Sequence, residues 1–384
     1  MLRTTLLAFV LAIAAPLALQ ADESETSQRL VDSLQPFVED GTVAGLVAIV
    51  ADEDSILAGA ALGRADLEAG QDMPPDAIFW IASMTKPVTA ACVMMLVDEG
   101  KLSLDDSVAM YLPEMQSLRA AEGKKSEITI RQLLAHTSGM AELPPDRVYA
   151  PATLEAVMKE YAELKLLFEP GTKWQYSQTS INTAGRIVEV LSAMPFDQFV
   201  EERICQPLGM IDTTFYLSEQ QLPRLAKSYA SKDGKLIESK IRILGEKSPT
   251  SRDRFPAANA GLFSTASDYT KFCQMLLRGG SFAGHRILSQ QAVQTMQTLA
   301  SGDLKTGFTP GNGWGIGVCI IREPQGVTQR LSPGTFGHGG AYGTQAWIDP
   351  TRGRVYVLMT QRSDFPNSDA SPVREAFHEA AAEL

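Results

Sequence analysis

Cysteine and histidine are scarce in this chain, with four of each in 384 residues. Cys92, Cys205, Cys273 and Cys319 stand far apart among apolar neighbours with no Cys-x-x-Cys pair, which reads as buried thiols rather than a disulfide framework. His136, His285, His338 and His378 are equally scattered and no His-Glu-x-x-His helix occurs, so no metal site is expected. No glycine-rich phosphate loop ends in Lys-Ser/Thr, which argues against a nucleotide enzyme, and no cofactor is expected. A Gly-x-Ser-x-Gly elbow is missing as well, which disfavours an α/β-hydrolase. Basic residues are outnumbered, 34 against 45 acidic, for a formal charge of -11. Such a surface repels nucleic acid and anionic lipid.

Long apolar runs are also missing except at the N-terminus. There Arg3 precedes the run Leu6 to Leu19 and small residues ending near Ala21, just before Asp22-Glu23. The run is too short for the ~20 residues of a spanning helix, and its order is that of a secretory signal peptide, residues 1–21. The expected mature protein is periplasmic or secreted, without stable membrane insertion.

About 360 mature residues with 45% apolar content suggest two lobes. An amphipathic helix near Ser27 to Glu39 is followed by strands at Ala44 to Ala51 and Ser55 to Gly63, separated by the acidic turn Asp52-Glu53-Asp54. Near the other end, Gly315 to Ile321, Thr344 to Ile348 and Val355 to Thr360 read as strands, and Pro372 to Ala382 as a closing helix. Between these ends, helical spacing recurs at Val88 to Val97, Ile128 to Leu134, Leu154 to Leu167, Thr179 to Leu191 and Ala266 to Leu277. The expected fold class is α+β: an antiparallel sheet from both chain ends flanked by helices, with an inserted, mostly helical lobe. Residues 22–85 and 307–384 are assigned to the sheet lobe and 86–306 to the helical lobe. A cleft between two such lobes is a usual binding site.

Three motifs carry chemistry. Ser83-Met84-Thr85-Lys86 opens a helix that ends near Gly100. At i and i+3 the hydroxyl and amine share one face, and the helix N-terminus favours negative charge developing on the serine oxygen. A lysine acts as base only if burial strips its proton near neutral pH. Taken alone the motif is weak, because an N-capping Ser83 with a solvated Lys86 would look the same. Tyr176-Ser177-Gln178 enters a second helix, where a phenol held against Lys86, its pKa lowered, would relay the proton from Ser83. Gly337-His338-Gly339-Gly340-Ala341 leads into a core strand, where adjacent glycines allow close backbone approach to substrate and the Ala341 and Ser83 amides would form an oxyanion hole.

Together, in this order, the motifs resemble the serine β-lactamases and penicillin-binding proteins, specifically the class C branch that includes D-amino-acid peptidases and family VIII carboxylesterases. The likeness extends through Lys101 to Asp106, Leu133-Leu134-Ala135-His136-Thr137-Ser138-Gly139, Ala260 to Thr265 and Gly343 to Pro350. It implies Ser83 as nucleophile, Lys86 and Tyr176 as coupled base, the Ser83 and Ala341 amides as oxyanion hole, and substrate-binding roles for Gln178, His338, Gly339 and Gly340. His136 is read as structural, with no partner at the site. Trp174, Phe336, Tyr342 and Gln345 flank the motifs and are expected in the cleft wall, with apolar packing the alternative for Trp174 and Phe336.

Two departures qualify the resemblance. Gln178 stands where the β-lactamases of the branch carry asparagine, and the extra methylene is expected to displace its amide by more than ~1 Å. His338 replaces the usual lysine, so its charge is expected to depend on pH. The expected activity is therefore cleavage of small esters or amides, with at most weak β-lactam hydrolysis. The alternatives are a class C-type β-lactamase or a D-amino-acid or DD-peptidase acting on cell-wall peptide, and a catalytically weak binding protein of the same fold. Expression with export should leave a mature N-terminus near Asp22; intact-mass measurement that finds Met1 retained in a membrane fraction would refute the leader assignment.

Overall fold

The computed structural model describes residues 25–119 and 126–384. The leader assigned to residues 1–21 lies outside them. The first helix, α1 (Glu25–Glu39), leads into β1 (Gly45–Ala51), β2 (Ile56–Asp66) and the short β3 (Gln71–Asp72). The helices that follow include α2 (Thr85–Asp98), α3 (Ile130–Leu134), α4 (Leu154–Tyr161), α5 (Gln178–Ser192) and α6 (Ala266–Leu277). The chain then returns as β4 (Asn312–Trp314), β5 (Cys319–Ile321), β6 (Phe336–Gly339), β7 (Gln345–Asp349) and β8 (Arg354–Thr360), and closes with α7 (Pro372–Ala381).

Both ends meet in one antiparallel sheet of order β4-β5-β6-β7-β8-β1-β2-β3. Its central contact pairs Leu46 with Thr360 through Ala51 with Val355. Side chains alternate across a strand, so Val47 and Ile49 join the core shared with the helical region while Leu46, Ala48 and Val50 pack under the terminal helices. This two-sided burial explains why β1 reads as an unbroken apolar run. Leu30 and Leu34 of α1 and Val373, Phe377 and Ala381 of α7, at helical spacing, cover the second face. The architecture is the expected α+β arrangement.

Local boundaries depart from the sequence reading in two places. The strand expected over Gly315 to Ile321 is strand only from Cys319, as β5; residues 315–318 form a tight turn joining β4 to β5, with Gly317 at a φ of +69°. Its N–H donates to the Leu134 carbonyl at 3.0 Å. The helix expected over Leu154 to Leu167 ends at Tyr161.

Helix α2 is buried nearly all round, from Thr85 to Leu96, and so is held by its surroundings rather than by one face. Gly100, φ +68°, stops it: its N–H donates to the Val97 carbonyl and that of Lys101 to Leu96, both at 2.9 Å. The Gly317 turn presses on this helix, since a Cβ there would run into Ala90 and come within 3.2 Å of the Lys86 carbonyl. Gly317→Val should therefore cost about 2–4 kcal/mol through positive φ and overpacking. A melting curve should show a midpoint several degrees lower; an unchanged midpoint would mean that the turn yields freely.

Candidate active site

Ser83 lies in a single 3-10 turn, Ala82–Met84, that runs directly into α2. The segment leading to it is held from several sides. Ile81 N–H donates to the Leu262 carbonyl at 3.1 Å, the Trp80 indole to Ala260 at 2.6 Å, and the Gln361 amide to Trp80 at 3.0 Å. Ala82, at φ +47°, takes a left-handed conformation that costs an L-residue roughly 1–2 kcal/mol. This bend presents Ser83 at a partly exposed position while Thr85 and Lys86, just beyond, are fully buried. Met84, not Ser83, is the cap residue of α2.

Lys86 Nζ is 3.1 Å from Ser83 Oγ and donates to Gln178 Oε1 at 2.8 Å and to the Asn259 carbonyl at 2.9 Å. Burial drives its pKa well below the lysine range, partly opposed by the Glu142 carboxylate. A neutral amine has two hydrogens and one lone pair. Two carbonyl acceptors and one hydroxyl donor match that set. Gln178, with its longer side chain, reaches Lys86, and its Oε1 also accepts from Asn259 Nδ2 at 2.9 Å.

Tyr176 corrects the sequence reading. Burial pushes its pKa well above the usual value instead of lowering it. Lys86 Nζ lies over the ring face, 4.6 Å from the centroid. The phenol oxygen is 3.3 Å from His338 Nε2. His338 Nδ1 lies 2.6 Å from the Gly339 carbonyl, which requires the proton on Nδ1 and leaves Nε2 as the acceptor for the phenol. Burial, the largest cause, depresses the His338 pKa to about 3. The expected pH-dependent cation is therefore a neutral imidazole throughout the ordinary range.

His136 has a partner at the site after all. At φ +60° it turns its ring beneath Tyr176, centroids 4.4 Å apart, and its Nδ1 accepts the Ser177 N–H at 3.1 Å. Trp174 and Trp314 complete this aromatic bed, 5.2 Å from each other. Gly339 and Gly340 are buried and make room for the protein itself: a side chain at the first would strike Asp369, and at the second Thr344. Phe336 belongs to the core, and Gln345 is held by Trp347 and Ser368. Tyr342 braces Trp80 edge to face at 4.7 Å.

Ser83 and Ala341 both face a cavity of about 290 Å³ that also touches Glu142, Tyr149, Gln178, Arg242 and Asn259. The turn after β6 closes through Gly340 N–H to the Thr344 carbonyl and Gly343 N–H to that of Gly340, at 2.7 and 3.0 Å. Those bonds leave the Ala341 amide out of the turn. Glu142 and Asn259 escaped the sequence reading. Glu142 caps α5, accepting the Gln178 N–H at 2.6 Å and the Thr179 hydroxyl at 3.1 Å. The only signal for Asn259 was its place immediately before the Ala260 to Thr265 stretch.

Residues 30–380 match the family model described as Beta-lactamase. An uncharacterized protein of Mycobacterium tuberculosis is 32% identical over 368 residues, covering 88% of this chain and 91% of its own. Esterase EstB of Burkholderia gladioli is 29% identical, covering 90% of this chain and 93% of its own. Among solved structures, the hydrolase EstCE1, described as having promiscuous acyltransferase activity, has the same fold. Its TM-score is 0.78 at 24% identity, over 92% of this chain and 98% of EstCE1.

The lowered pKa of Lys86 has a thermodynamic signature. Between the folded pKa and the unfolded value of 10.5 the unfolded chain binds one more proton at this residue, so stability must rise with pH over that interval. Measured against Lys86→Met, wild-type stability should gain up to about 1.4 kcal/mol per pH unit as pH rises toward the unfolded pKa. A difference that stays flat from neutral pH to 10 would show the folded lysine to be protonated.

Proposed function

Because the chain belongs to the β-lactamase family of serine hydrolases, we propose that it hydrolyses small carboxylic esters through an acyl-enzyme on Ser83. The observation that carries this reading is the buried Lys86 amine 3.1 Å from the Ser83 hydroxyl, with its other two contacts satisfied by carbonyl oxygens. In this scheme the lone pair of Lys86 accepts the Ser83 proton as Oγ bonds to the ester carbonyl carbon. The carbonyl oxygen, now negative, is held by the Ser83 and Ala341 amides.

Collapse of the tetrahedral species breaks the bond to the leaving alkoxide, which takes a proton from Tyr176 while the ammonium of Lys86 restores the network. The raised phenol pKa suits this role, since a neutral phenol can donate. His338 Nε2 holds that phenol in place. Water then enters where the alcohol stood, and the same groups run in reverse to release the acid.

The neutral His338 bears on substrate choice. A β-lactam or a peptide ending in D-alanine brings a carboxylate on the departing side, where this site offers an uncharged imidazole in place of a fixed cation. A simple alcohol needs no such anchor. The reading as an esterase also agrees with the name of the Burkholderia relative. Export is proposed from the leader-like residues 1–21; no helix among the described residues is long and apolar enough to cross a membrane.

A fluorophosphonate should label Ser83, and Ser83→Ala should abolish both labelling and hydrolysis of p-nitrophenyl acetate; labelling that survives would refute the assignment. Lys86→Ala should lower kcat/KM by at least ~10³ and Tyr176→Phe by ~10²–10⁴. The double variant should lose far less than the product of the two, because the residues act as one unit. Faster turnover of nitrocefin or a D-Ala-D-Ala peptide than of the ester would assign the site to β-lactams or cell-wall peptides instead.

A further inference from the structure

The cavity beside Ser83 has a charge that the reaction scheme does not use. Its lining includes two ionic side chains beyond the buried machinery, Glu142 and Arg242. Glu142 is occupied, because its carboxylate caps α5 through the Gln178 and Thr179 amides and the Thr179 hydroxyl. Arg242 is not. Among the described residues its guanidinium makes no ion pair or side-chain hydrogen bond, and the residue is exposed. Its backbone is nevertheless fixed, since the Arg242 N–H donates to the Tyr342 hydroxyl at 3.2 Å, which in turn donates to the Lys240 carbonyl at 2.8 Å. A planar guanidinium with all its side-chain donors free, on an anchored backbone at a substrate cavity, is suited to a carboxylate.

Which part of the substrate meets it follows from the proton path. The leaving oxygen must lie near Tyr176, and neither Tyr176 nor His338 lines this cavity. Gln178 and Asn259, which hold Lys86, do line it, so the cavity accommodates the acyl portion. We propose that Arg242 selects substrates whose acyl chain ends in a carboxylate, that is, monoesters of dicarboxylic acids. This rests on the esterase reading above and adds the substrate class. The charge arrangement is then divided by side: an uncharged imidazole toward the departing alcohol and a fixed cation toward the acid.

The test compares p-nitrophenyl hydrogen adipate with its methyl ester, which differs only in lacking the terminal charge. Wild type should favour the acid by about tenfold in kcat/KM, chiefly through KM, as expected for one charge-assisted contact. Added salt should shrink that preference. Arg242→Gln should abolish the preference while leaving the methyl ester within about twofold, and Arg242→Lys should retain part of it. An acid-to-methyl-ester ratio unchanged in Arg242→Gln, or an equal loss on both substrates, would overturn the proposal. Calorimetric binding of the two compounds to Ser83→Ala protein, with and without Arg242→Gln, reads the same discrimination without turnover. If wild type cleaved neither ester, the esterase reading would fail, and this binding comparison would still decide the role of Arg242.

Discussion

Lys86 has no solvent-exposed surface, and its nearest partners are a hydroxyl and two neutral carbonyl oxygens. An ammonium ion there would have lost its hydration without gaining an anion in contact, which is why the pKa of the amine falls well below the ordinary lysine value. Much of the surrounding architecture maintains that condition. Helix α2 is enclosed along its length, the Gly317 turn closes against its first turns, and Asn259 and Gln178 arrive from separate segments to orient the nitrogen. The Glu142 carboxylate opposes that shift, and the amide protons of α5 draw on its oxygens.

The second half of the site shows the same economy of charge. Tyr176 and His338 are held neutral by burial, one above and the other below its ordinary pKa, and share a hydrogen bond whose direction is fixed by the Gly339 carbonyl. His136 supports the phenol ring from beneath and is itself kept uncharged by burial. Behind His338, the guanidinium of Arg374 lies over the Trp347 ring at 4.4 Å and reaches the Asp369 carbonyl. Asp369 also occupies the space that a side chain at Gly339 would need. The glycines of this segment thus serve the packing of the strand.

The sequence made legible whatever is expressed locally. Alternation and helical spacing located β1, β2, β7, β8, α5 and α6 to within a few residues, and the order of three motifs along the chain, not any one spacing, singled out Ser83, Lys86 and Tyr176 as candidates, which the fold brings together. Protonation states were less accessible. The phenol of Tyr176 and the imidazole of His338 follow their burial, which is set by segments far away in the chain. Contacts made through backbone atoms leave no residue signature either, and so the Asn259 carbonyl was invisible. Glu142 was missed for a related reason: a helix cap delivered from a loop has no fixed sequence distance from the helix it caps. Gly317 deceived the strand reading because an apolar run says nothing about the sign of φ.

The pairing of β1 with β8 joins residues 45–51 to residues 354–360 in the middle of the sheet. Synthesis from the N-terminus therefore leaves the first strands without their central neighbour until residues 354–360 have been made. A chain arrested before β8 lacks the middle of its sheet, and one arrested before Ala341 also lacks half of the proposed oxyanion hole. Ser83, although translated early, is then without that proposed partner. Such long-range pairing ties closure of the sheet, and with it the arrangement of the candidate site, to contacts made between segments about 300 residues apart.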